Sequence, residues 1–351
     1  MFRSIPFVKN ELEVIETRPG FMGRGGLAIR NTPVTARMNY EALYYEKHPY
    51  WFPMPGESSM LSPSIYGDNL GRGHGRDITD AFGIRWQFVP SAGGSIVHPG
   101  DPLMEDVNDW KELIKLPDID AWDWAGAAAE HKLDPRFFGE MSFINGFWFE
   151  RLISFMDFMG AAMALIDEEQ VDAIHELFEA TTDLGCRLVD KFCEYWPSIA
   201  SFNVHDDWGA QKAPFFSQEV AQELFVPHMK VLTDHIHSKG RIATLHSCGH
   251  NADRIQCYID GGFDQWGPQS MNDINYLYDN FGDKIVLGVW PERADLADAP
   301  EAEQRQAARD FADRFCQPGK PAVLGAEGSR RCPPAFLEEL YEYSRKKYAA
   351  M

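Results

Sequence analysis

The sequence predicts an α/β protein: a (β/α)8 TIM barrel over residues 33–351 with an N-terminal extension at 1–32. Three observations carry this. Strand-like and helix-like segments alternate from Ala200 to Tyr348, as a parallel sheet with crossover helices requires. The 351 residues are 44% apolar, enough for one large core, and no Gly-, Ser- or Pro-rich linker divides them. About eight strand–helix units over this length favour a closed barrel over an open sheet.

Taken in order, residues 1–32 mix Gly, Arg and polar residues without a period, so an irregular, partner-contacting arm is expected. Thr35 to Glu46 reads as a helix, with Ala36, Met38, Tyr40, Leu43 and Tyr44 at helical steps. Tyr50-Trp51-Phe52 before Pro53 is the expected first strand. Residues 54–100 are a Gly- and Pro-rich excursion with strands near 84–89 and 95–98. A helix near 105–115 and an Asp- and Trp-rich loop (Asp118 to Trp124) lead to a strand at Met141 to Ile144. Two short apolar helices (Trp148 to Met159, Gly160 to Ile166) precede one long helix from Glu168 to Trp196. Asp167-Glu168-Glu169 suits the positive end of its dipole.

Strands then fall at Ala200–Val204, Arg241–Leu245, Phe263–Trp266, Lys284–Val289 and Ala322–Gly325. Helices fall at Ser217–Ser238, Asn251–Ile259, Asp273–Asn280, Glu301–Phe315 and Pro334–Tyr348. Ser217 is a fitting N-cap and Gly240 a fitting stop.

A net charge of −20 argues against sequence-independent nucleic-acid binding, which needs a basic surface. The start, MFRSIPFVKNELEVIE, lacks the apolar core of a signal peptide. No run reaches the roughly eighteen apolar residues of a membrane span. A cytoplasmic protein with no membrane partner is expected. Its six cysteines are expected as free thiols or metal ligands. No P-loop, G-x-S-x-G elbow or H-E-x-x-H occurs.

In a barrel the chemistry sits at the C-terminal ends of the strands. Those ends read Asn145-Gly146, His205-Asp206-Asp207, His246-Ser247-Cys248, Trp266-Gly267-Pro268-Gln269, Trp290-Pro291-Glu292 and Glu327. His246 and Cys248 are two apart on a strand end, so their side chains can point the same way. With Cys332 they make a three-ligand set for Zn²⁺ that leaves a fourth position open, the catalytic pattern. Glu327 is the alternative third ligand. Of Asp206 and Asp207, one is expected to face the pocket as a general base or ligand-orienting group. The other is expected to fix a loop. Asn145 and Gln269 are expected substrate contacts, and Trp148 and Phe149 an apolar wall for an aromatic ligand.

The stretch HDDWGAQKAPFFSQEVAQELFVPHMKVLTDHIHSKGRIATLHSCG, from His205 to Gly249, resembles the uroporphyrinogen decarboxylase superfamily in its branch of cobalamin-dependent methyltransferases. TARMNYEALYYEKHPYWFP, Thr35 to Pro53, is similar to that family's first helix and strand. The resemblance implies a (β/α)8 barrel with zinc on His246, Cys248 and a later Cys. That Cys follows the last strand directly in the family, whereas Cys332 lies beyond Glu327-Gly328-Ser329-Arg330-Arg331. Met54-Pro55-Gly56-Glu57-Ser58 stands where the decarboxylase branch carries an arginine-rich clamp. The aromatic NGFWFERLISFMDF looks more like the O-demethylase components than the thiol-methylating ones.

The resemblance thus implies a zinc-dependent methyltransferase. It would move a methyl group from a methoxylated aromatic to the Co(I) corrinoid (cobalamin) of a partner protein. Trp148, Phe149, Trp266 and Trp290 would sandwich the ring, and Asp206 or Asp207 would orient a ligand. A homodimer is compatible with this reading. A methylcorrinoid-to-thiol transferase and a decarboxylase-like lyase are the alternatives.

Overall fold

The computed structural model describes residues 5–18, 27–73, 75–91, 94–293, 295–325 and 332–351. Its strands are β1 (Val14–Arg18), β2 (Leu27–Arg30), β3 (Ser58–Leu61), β4 (Ile78–Thr79), β5 (Arg85–Val89), β6 (Gly94–Val97), β7 (Phe138–Phe143), β8 (Ile199–His205), β9 (Ile242–His246), β10 (Gln265–Trp266), β11 (Val286–Val289) and β12 (Ala322–Leu324). Seven form one sheet in the order β12-β11-β10-β9-β8-β7-β3. β8–β9, β10–β11 and β11–β12 pair in parallel, with helices between successive strands. This α/β architecture is compatible with a barrel-like fold. The chain divides into two compact units: Met1–Ser59, Asp134–Gly139 and Asp264–Met351 form the first, Met60–Leu133 and Glu140–Phe263 the second.

In the first unit the expected irregular arm is ordered: β1 and β2 pair antiparallel. Glu11, before β1, is 1% exposed and accepts from Arg345 Nε at 2.9 Å and from Tyr341 Oη at 3.2 Å. The expected first strand, Tyr50 to Phe52, is not a strand. Asn39, on the helix Ala36–Tyr45, does the work a neighbouring strand would do. Its Oδ1 accepts from the N–H of Tyr50 and Trp51, and its Nδ2 donates to the Trp51 carbonyl. Ser344 Oγ accepts from the Phe52 N–H at 3.0 Å. With those backbone groups satisfied by side chains, no ladder is needed.

In the second unit β4, β5 and β6 form an antiparallel meander. The two expected short helices form one element, Phe149–Ala164, broken at Asp157 (φ 70°). Asp157 Oδ1 accepts from the Gly160 N–H at 2.8 Å, which caps the second half. The long helix spans Val171–Tyr195. The helix expected from Ser217 splits at Phe225, because Pro227 has no N–H to continue it. Ser217 caps its first part by accepting from Val220 N, and Gly240 (φ 66°) follows its end. The core is aromatic: Phe143 stacks on Phe202 at 5.4 Å, and Trp124 meets Phe192 edge-on at 5.3 Å. Among the described residues, no helix is long and apolar enough to cross a membrane, and all six cysteines are free thiols.

Candidate functional site

The site lies in the second unit, at the C-terminal ends of β7, β8 and β9 and the start of the helix Phe149–Ala164. Parallel pairing sets His205 opposite His246, each the last residue of its strand. Their rings stack with centroids 4.4 Å apart. Residues at period two below them share one face of the sheet, and Ser201, Asn203 and Thr244 among them are polar. Glu140 Oε2 accepts from Ser201 and Thr244, Asn203 donates to Thr244, and Ser142 to Asn203.

The two adjacent aspartates diverge. Asp206 is fully buried and fastens the helix Phe149–Ala164: its carboxylate accepts from the N–H of Phe149 (3.3 Å) and Glu150 (2.8 Å), and from Trp208 Nε1 (2.8 Å). Burial, then the nearby Glu150 charge, pushes Asp206 up to about 7. Asp207 turns toward His246. Its Oδ1 accepts from the Cys248 N–H at 2.7 Å and lies 3.8 Å from His246 Nε2.

His205, Asp207 and His246 each offer a ligand atom, all within 4.8 Å of one another. Cys248 Sγ lies 3.1 Å from His246 Nε2. Two imidazoles and a carboxylate with a thiol alongside are donors zinc accepts, so these residues fit that ion. Burial, then the neighbouring His205 charge, lowers the His246 pKa and keeps its ring neutral, as a ligand must be. Burial and then Asp207 push the Cys248 thiol up to about 12, a shift that a bound cation would oppose.

Sequence reasoning gave no role to His205, Glu150 or Arg72. Glu150 Oε2 meets His205 Nδ1 at 2.5 Å, and its other oxygen accepts from Arg72 Nη2. Arg72 Nε also donates to Asn145 Oδ1, and Asn145 Nδ2 to the Leu70 carbonyl at 3.1 Å. Burial raises the Glu150 carboxyl, but the His205 hydrogen bond and charge, with Arg72, outweigh it and bring the pKa below the usual value. His205 is raised in turn: burial opposes its proton and Glu150 more than compensates. A signal for His205 was present, since His205 and His246 each follow a strand-like run directly.

The loop after β9 is set by close packing. Ser247 Oγ accepts from Trp208 N, Asn251 Nδ2 and Tyr258 Oη. Gly249 (φ 100°) abuts Gly209, whose backbone a Cβ would meet at 2.2 Å. His250 donates its N–H to the Ala210 carbonyl.

The expected aromatic wall differs from what is seen. Trp148 and Phe149 are both 0% exposed. Trp148 Nε1 donates to Thr182 Oγ1 at 3.0 Å, and Phe149 packs against Phe216 and Phe225. Trp266, Gln269, Trp290 and Cys332 belong to the first unit. Trp266 is buried in β10, and the Gln269 carbonyl accepts from Asn272. Trp290 lines a cavity of about 750 Å³ with Phe311 and Arg314. Cys332 is half-buried before the last helix, its thiol raised by burial. Glu327, the alternative third ligand, lies outside the described residues.

No family model matches the chain. No curated protein matches it in sequence. Among solved structures the fold is similar to a methyltransferase from Methanosarcina mazei, with a TM-score of 0.50 at 11% identity, over 90% of this chain and 85% of that one. An uncharacterised protein is similar over 46% of this chain and 47% of its own, with a TM-score of 0.26 at 12% identity. At these identities the first likeness is one of fold.

Proposed function

We propose that this chain is a (β/α)8-barrel, zinc-dependent methyltransferase that takes a methyl group from a methoxylated aromatic and delivers it to the corrinoid of a partner protein. The observation that carries it is the gathering of His205, Asp207, His246 and Cys248 at the ends of two neighbouring parallel strands. The sequence resemblance and the fold likeness to a methyltransferase support the same class. His205, Asp207 and His246 would hold the zinc, which would supply Lewis acidity to the departing aryloxide, and a partner's corrinoid would supply the acceptor for the methyl group.

The chain's own residues prepare the site. Glu150 holds a proton on His205 Nδ1, which leaves Nε2 as the donor nitrogen. Asp206 pins the helix that carries Glu150. Asp207 joins the donor set and, through the Cys248 N–H, holds the β9 loop against it. His246 is common to this donor set and to the one expected from His246, Cys248 and Cys332.

Metal content of the purified protein tests the reading. About one zinc per chain is expected for a single site. It should be lost in His205→Ala and His246→Ala, and methoxyarene demethylation should require a reduced corrinoid protein. Loss in Cys332→Ala as well would make that thiol the additional ligand. No zinc in the unmodified protein, and none regained on addition, would overturn the proposal.

A further inference from the structure

Beside the metal-competent residues, still within the second unit, lies a cavity of about 360 Å³ lined by Arg72, Trp86, Ile96, Glu150, Ile153 and Phe158 among others. That volume is at the small end of ligand sites and suits one substituted ring. Its carboxylates are already engaged. Asp157 caps Gly160, and Glu150 serves Arg72 with one oxygen and His205 with the other.

Arg72 has capacity left over. Nε donates to Asn145 and Nη2 to Glu150, while Nη1 makes no hydrogen bond among the described residues. The side chain is 28% exposed. Its guanidinium carbon lies 5.6 Å from the centroid of the Trp86 ring. Trp86 is itself fixed, with its Nε1 donating to Asp80 Oδ2 at 3.0 Å. A half-satisfied, oriented guanidinium beside the Trp86 ring, in a cavity that Phe158 also lines, is a receptor for a planar anion on a ring.

We propose that this cavity binds a single-ring aromatic molecule bearing an anionic group, with Arg72 holding the anion and Trp86 and Phe158 flanking the ring. Only the idea that this molecule is the methyl donor rests on the function proposed above. The geometry favours it: Arg72 lines the pocket, is anchored through Nε and Nη2, and keeps Nη1 for a ligand.

The test is calorimetric titration of the full chain with 4-methoxybenzoate and its neutral isostere 4-methoxybenzamide, in zinc-loaded and chelator-treated protein. The benzoate should bind at least about tenfold more tightly, as a charge-assisted hydrogen bond implies. Arg72→Gln should bring the two affinities together, and Arg72→Lys should keep part of the preference. Equal affinities in the unmodified chain, or a preference unchanged in Arg72→Gln, would overturn the assignment, as would no binding of either compound at millimolar concentration. Should Arg72→Gln fail to fold, the benzoate–benzamide ratio in the unmodified chain and in Arg72→Lys decides. Anion preference without zinc or methyl transfer removes the methyltransferase reading and leaves the pocket. Methyl transfer without anion preference does the reverse.

Discussion

Glu150 and His205 hold each other from opposite elements. Glu150 Oε2 lies 2.5 Å from His205 Nδ1, while Asp206, next in the chain to His205, accepts from the Glu150 N–H at 2.8 Å. The helix start and the strand end are therefore fastened twice, once through the Glu150 side chain and once through its backbone N–H. Such a carboxylate fixes both the tautomer and the ring plane of an imidazole ligand.

On the proposed zinc site, Glu150→Ala should weaken metal binding by about 10–100-fold, the range for loss of such an orienting partner. Glu150→Gln, which keeps an acceptor of the same length, should lose less. Competition with a chromogenic chelator measures both, and unchanged affinity in Glu150→Ala would remove the orienting role.

Gly249→Ala should destabilise the protein by about 2–5 kcal/mol, combining left-handed strain with overlap against Gly209. Gly249 has φ 100° and its added Cβ would sit 2.2 Å from the Gly209 backbone. Gly100→Ala is the control: φ is 80° but nothing lies within 4 Å, so only the strain of about 1 kcal/mol should appear. Urea unfolding of the two variants separates the contributions, and equal losses would refute the packing argument.

Arg345→Met leaves Glu11 as an uncompensated buried carboxylate, since both residues are 1% exposed and joined at 2.9 Å. A loss of about 3–5 kcal/mol is expected. The double variant Arg345→Met with Glu11→Leu should recover much of it, because the desolvated charge is gone. A double-mutant cycle in urea tests this, and a double variant no more stable than Arg345→Met would contradict it.

Glu57 sets a pH dependence. Burial raises its carboxyl to about 8, against hydrogen bonds from Met54 N and Trp51 Nε1 that favour the charged form. The folded protein therefore keeps a proton that the unfolded chain releases near 4.5. Stability from this group is full below that value and is lost as pH rises toward about 8. Tm should fall over that window, and Glu57→Gln should flatten the fall. An identical slope in the variant would show that Glu57 titrates normally.

Local pattern alone located the helix from Ala36, the hairpin strands near 85–97, the break near Asp157, and the strand and helix order from Ala200 onward. It also placed His246, Cys248 and the aspartates at strand ends. Each of these depends on short-range periodicity and capping, which a chain carries in its own residue order. It misplaced the stretch at Trp51, because β propensity there is overridden by one distant side chain, Asn39, which satisfies the backbone from a helix. It left out Glu150 and Arg72, because their value lies in contacts across 55 and 78 residues of sequence. The residue types at the site were thus determined by sequence. Which of them meet was decided only when parallel pairing set His205 beside His246 and Asp206 drew the helix start, with Glu150, against them.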